Sequence, residues 1–175
     1  MNIDELKREA LAINESKDEF LKLCKREFYI PEGVISLFEK YSLNCTINHS
    51  LDPDIRLYSD FESFSKANFN VNYSVEIRFS KLIRNIVFVE YTAEVKNIDP
   101  NKVEPVISES SEMPFTLSQF SFNEEIESVF SSNKLIRIDN NIMNYVIKDI
   151  DKTIDFFGPQ ATMEMLLFND LFDHL

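Results

Sequence analysis

Histidine is the side chain best suited to acid–base work near neutral pH, and the chain has two, His49 and His174. His49 follows Cys45 in the stretch "CTINH". On an extended strand, positions 45 and 49 project from one face, so a thiol–imidazole pair is geometrically open. A nucleophilic cysteine also needs a base within hydrogen-bond reach and a third group to orient that base. No Gly-rich or elbow-like context surrounds Cys45, and the plainer reading is a buried thiol with a histidine near a turn. His174 is the penultimate residue, where chains fray, which is a poor place for a positioned catalyst.

Metal chemistry finds no better footing. A zinc site takes three or four ligands, commonly at short spacings, whereas Cys24, Cys45, His49 and His174 would have to converge from distant segments. "DPD" at 52–54 and "DID" at 149–151 each offer two carboxylates but lack the spacing and glycine of a calcium loop. They read as a turn and a solvated helix face. With 30 acidic residues, some carboxylate pair falls at any chosen spacing, so a paired-carboxylate hydrolase has no specific signal. Gly33 and Gly158 are the only glycines. Loops that cradle phosphates need several, because backbone N–H groups must approach the anion closely. No catalytic residue, metal or cofactor is assigned, and an enzyme is not expected.

What the sequence does carry is charge. The formal net charge is −12, and no basic stripe is present for phosphate contacts, so nucleic acid is not an expected partner. The acidity is weighted toward the second half. Between Lys102 and Lys134 there is no Lys or Arg, but Glu104, Glu109, Glu112, Glu124, Glu125 and Glu127 all occur. After Lys152 there is again no base, while Asp155, Glu164, Asp170 and Asp173 follow. A surface of one sign focuses the field and speeds encounter with a partner of opposite sign. These six glutamates are the candidate partner-binding residues.

The elements that must position them follow from hydrophobic period. Ile3, Leu6, Ala10, Leu11 and Ile13 recur at helical spacing, and Ser16 with Glu19 fits a capping box that opens a second helix. Pro31 fits the first turn of a third, striped by Val34, Leu37, Phe38 and Tyr41. "LNCTINHS" alternates briefly, and "LDPDIRLYSDFESFSKA" mixes both periods. "NFNVNYSVEIRFS" alternates without a break. Its Phe and Val side reads as the anchor for helices and its Asn and Ser side as solvated. "IVFVEYTAEV" follows after a short link, so the two form an antiparallel hairpin. "VEPVISES" and "MPFTLSQFSF" are expected strands, with Pro105 and Pro114 at edges or strand starts. "NEEIESVF" reads as one helical turn or two, and "KLIRI" as a short strand. From Asp139 or Asn140 a helix is expected through Met143, Val146, Ile147, Ile150, Ile154 and Phe157, closed by Gly158 and Pro159. A final helix over "QATMEMLLFNDLFDHL" is apolar around much of its circumference.

Together these predict one domain, 1–175: a helical segment at 1–42, mainly strands at 43–138 and C-terminal helices at 139–175. The fold class is α+β, with a central, mostly antiparallel sheet and the N- and C-terminal helices packed on one face. The core is Phe-rich, with 16 Phe and no Trp. No signal peptide and no stretch long enough to span a bilayer is visible. The expected setting is the cytoplasm, with both cysteines reduced and the chain a monomer or homodimer.

In size, acidity and composition the chain resembles the immunity proteins that neutralise toxic nucleases in bacterial competition. That resemblance extends over the whole chain and rests on no motif. It implies a small cytoplasmic protein whose carboxylates pair with the Arg and Lys of a basic toxin domain, with Phe and Tyr as desolvated anchors. An acidic phage-type inhibitor of a nucleic-acid-binding enzyme would share these features. A holdase or adaptor binding apolar segments is the reading from a different class. It rests on the apolar final helix, on Ile86 and Phe88, and on the adaptable Met163 and Met165.

Overall fold

The computed structural model describes residues 2–41, 43–48, 52–97, 107–147 and 161–169. Three helices open the chain: α1 (Ile3–Asn14), α2 (Lys17–Cys24) and α3 (Glu32–Lys40). Their starts are written locally. The Asn2 side chain accepts from the Asp4 N–H, and the Ser16 hydroxyl accepts from the Glu19 N–H at 3.4 Å. Pro31 stands at the N-cap of α3, where a missing donor costs no intrahelical bond.

The chain then forms an antiparallel meander in sequence order, β1 (Thr46–Asn48), β2 (Asp54–Lys66), β3 (Phe69–Ser80), β4 (Ile86–Asn97) and β5 (Ile107–Ser111). A short sixth strand, β6 (Ile136–Arg137), runs parallel to β4 at Ile86 and Val87. The β3–β4 hairpin and the α+β class are as the sequence leads one to expect.

The helices divide between the two faces of this sheet rather than sharing one. Alternate strand residues point to opposite faces. Val75, Ile77 and Phe79 of β3 and Val87, Val89 and Tyr91 of β4 pack with α3 and with α4 (Leu117–Ser132). Ile86 and Phe88 of β4 turn the other way, into a second core with α1, α2 and α6 (Met163–Phe168). The polar side of β3 is therefore only partly solvated. Ser80 donates to the Leu167 carbonyl at 2.8 Å. The buried Arg78 pairs with Asp54 at 2.9 Å and Glu164 at 2.7 Å and stacks on the Phe168 ring.

Two further expectations are corrected. The segment read as a strand over "MPFTLSQFSF" and a turn or two of helix over "NEEIESVF" is largely the single helix α4. Phe122, Ile126 and Phe130, four residues apart, form its buried stripe, each contributing about 1.5–3 kcal/mol through burial. Thr116 accepts from the Gln119 N–H at 3.2 Å, and Gln119 accepts from the Phe115 N–H at 2.9 Å. A Cβ on Gly33 would lie 3.1 Å from a methyl of Val129, so this glycine permits the close approach of α3 to α4. The helix expected from Asp139 is a single turn, α5 (Asn140–Met143), capped by Asp139 as foreseen. Val146–Ile147 (β7) instead pair with Ala161–Thr162 (β8). Asparagines at 140, 141 and 144 compete for backbone hydrogen bonds and support a helix poorly, while the β-branched pair at 146–147 suits a strand. The expected continuation through Ile150, Ile154 and Phe157 to Gly158 and Pro159, and the end of the final helix beyond Asn169, lie outside the described residues.

Candidate functional site

The five candidate glutamates among the described residues do not form one surface. Glu104 lies outside the described residues. Glu125 faces α3, where its carboxylate takes Lys40 at 2.5 Å and the Tyr41 hydroxyl at 3.0 Å. Hydrogen bonds from Lys40 and then Tyr41 hold this carboxyl below its ordinary range. Glu127 takes the Arg137 guanidinium at 2.5 Å. The Glu112 carboxylate accepts from the Asn140 N–H at 2.9 Å, and its carbonyl accepts from Arg137 at 2.8 Å. Glu125 thus ties α4 to the end of α3, while Glu127 and Glu112 tie α4, β6 and the start of α5 together.

Arg137 is the hub of that tie. Besides Glu127 and the Glu112 carbonyl it reaches Asn123 Oδ1 at 2.7 Å. Asn123 also accepts from the Tyr91 hydroxyl at 3.0 Å. The hub floors an open cleft of about 360 Å³ lined by Glu112, Asn123, Glu127, Arg137 and Asp139 among others. Its polar groups are spent on one another, so the cleft reads as a joint between elements.

Glu109 and Glu124 remain. Both are exposed, and neither makes an ion pair among the described residues. Each has a large exposed apolar neighbour on its own face. Ile107 precedes Glu109 by two residues on β5, and Phe120 precedes Glu124 by four on α4. Leu117, 86% exposed, extends the α4 stripe. An acid beside an uncovered apolar side chain can supply both a charge-assisted hydrogen bond and a desolvated contact.

The thiol reading of Cys45 loses its chemistry. Burial pushes this thiol up to about 11, far from the thiolate a nucleophile needs, and His49 lies outside the described residues. Cys24 is buried. Among the described residues no three His, Cys, Asp or Glu side chains gather to hold a metal ion, and no helix is long and apolar enough to cross a membrane. Among the described residues that suggested a holdase, Ile86, Phe88, Met163, Leu166, Leu167 and Phe168 are buried and Met165 is half-buried; the rest of the expected final helix lies outside the described residues.

Sequence reasoning did not single out Glu62, Phe64 or Ile107. The exposure of Phe64 and Ile107 and the half-buried position of Glu62 follow from where the helices stop along the strands, which no local pattern encodes.

No protein-family model matches the chain, and no curated protein or solved structure is detectably similar to it.

Proposed function

We propose that this chain is a binding protein that captures and neutralises a basic protein partner, in the manner of an immunity protein against a bacterial toxin domain. The observation that carries the reading is the pairing of unneutralised carboxylates with exposed apolar side chains at Glu109–Ile107 and Glu124–Phe120, on a chain of net charge −12. Interfaces of this kind draw specificity and on-rate from charge and affinity from a few apolar anchors. Among the described residues the candidates narrow to Glu109 and Glu124, because Glu112, Glu125 and Glu127 are occupied within the fold.

The test is co-expression with the products of the adjoining reading frames, of which one that is basic and arrests growth is the expected partner. The expected result is rescue of growth and a stoichiometric complex whose affinity falls with salt. Reversing Glu109 and Glu124 together to Lys should weaken that complex by about tenfold or more. A complex untouched by these reversals, or by salt, would contradict the assignment.

A further inference from the structure

The central strands outrun the helices that cover them. The 12 residues of β3 span roughly 40 Å, whereas the 16 residues of α4 span roughly 24 Å. Gln119, in the first turn of α4, donates to the Ser74 carbonyl at 2.9 Å and marks where the cover begins. On the far side of that point Phe115 lies 6.5 Å from the Tyr73 ring. Burial falls off along β3: Val75 is buried, Tyr73 and Val71 are half-buried, and Phe69 is exposed.

The register states what this overhang presents. Phe64 pairs with Val71, Val71 with Val95, and Val95 with Ile107. Cross-strand partners share a face, so four apolar side chains form one row roughly 14 Å wide. Its ends are the most open, with Phe64 56% and Ile107 67% exposed. The adjacent row on the same face runs Glu62, Tyr73, Ala93, Glu109 and carries a carboxylate at each end. A register shift between Asp60 and Glu62 sets this up. Had the register run on without this shift, Glu62 and Phe64 would fall on the opposite face. Neither Glu62 nor Glu109 makes an ion pair among the described residues. Lys66 adds one positive charge at the tip, opposite Phe69.

We infer that this overhang is the docking surface, and that its occupant is a partner segment presenting arginine or lysine beside apolar side chains. The inference rests on the basic-partner reading above and gives it a place. Apolar anchors flanked by two unpaired carboxylates match a cationic, partly apolar segment. A second copy of the chain would instead set a net charge of −12 against itself.

The intact methyl-labelled chain, titrated with three peptides of about twelve residues, tests this. One alternates Arg and Leu, one replaces Arg with Glu, and one replaces Leu with Ser. The Arg–Leu peptide is expected to shift the methyls of Val71, Val95 and Ile107 first. The Ser form should bind about tenfold more weakly and the Glu form not at all. Phe64→Ser and Ile107→Ser should each weaken binding about tenfold; Ile107→Ser should leave the unfolding midpoint unchanged, while Phe64→Ser, which gives up an edge contact with the Tyr73 ring at 6.1 Å, should lower it slightly. If the Arg–Leu peptide binds but shifts only residues elsewhere, around Glu124 for instance, the basic-partner reading survives and this surface is wrong. If no cationic peptide binds anywhere, the basic-partner reading itself falls. Equal binding of the Glu form overturns the charge chemistry. Concentration-dependent self-association abolished by Ile107→Ser overturns the choice of occupant.

Discussion

Arg78 holds α6 to the sheet. Its guanidinium is buried, pairs with Asp54 and Glu164, reaches Asn169 Oδ1 at 3.2 Å and stacks on Phe168. Without Arg78 the buried Asp54 carboxylate keeps only the more exposed Arg56, at 2.9 Å, so the loss falls short of that of a fully uncompensated buried charge. Arg78→Met should lower stability by up to about 3 kcal/mol in urea unfolding. Asp54→Leu combined with Arg78→Met should recover part of that loss. Glu90 is a quieter case. Burial first, then the carboxylates of Glu76 and Glu164, raise its pKa, and Glu76 is its direct cross-strand partner. A raised carboxyl pKa means that the fold favours the protonated form, so stability is fully present below the ordinary carboxylate range and is lost as pH rises through the folded value. Glu90→Gln should therefore raise the thermal midpoint at pH 7. The advantage should close as pH falls below about 4. A midpoint difference independent of pH would show that charge at Glu90 is not the cause.

At the scale of elements, α4 decides most. It covers one face of the sheet, and its start is fixed by Thr116 and Gln119. Thr116→Ala should cost about 1 kcal/mol, and Phe122→Ala about 3–5 kcal/mol, both measured by denaturant midpoint at constant slope. The contrast between the two tests whether α4 is held by packing more than by its cap. This helix was only half legible in the sequence. Phe115, Leu117, Phe120 and Phe122 satisfy a strand pattern as readily as a helical one, since short apolar runs fit both periods. The Thr116-x-x-Gln119 signal was there to be read. The first three helices and the β3–β4 hairpin were legible because caps and period agreed. The helix from Asp139 failed for the opposite reason: a good cap and an apolar stripe were overridden by asparagines and by strand pairing of Val146–Ile147 with a distant segment.

Over the whole molecule, the acidic excess was plain in the sequence, but its distribution was not. Lys40 and Arg137 come from elsewhere in the chain to neutralise Glu125 and Glu127, so a base-free run of sequence does not become a base-free surface. What stays unneutralised is set by strand register and by the length of the helices, which place Glu62 and Glu109 beside Phe64 and Ile107. One consequence is a separation of effects among the acids. Glu125→Lys should lower stability only slightly, by replacing the exposed Lys40 pair with a repulsion, and leave affinity for the Arg–Leu peptide intact. Glu109→Lys should do the reverse. The most direct measurement is the affinity of the intact chain for the Arg–Leu peptide as a function of salt, for wild type and for Glu62→Gln combined with Glu109→Gln. The account expects wild-type affinity to fall steadily with ionic strength, and the double variant to bind more weakly at low salt with a flatter dependence. Identical salt curves for the two proteins would contradict it.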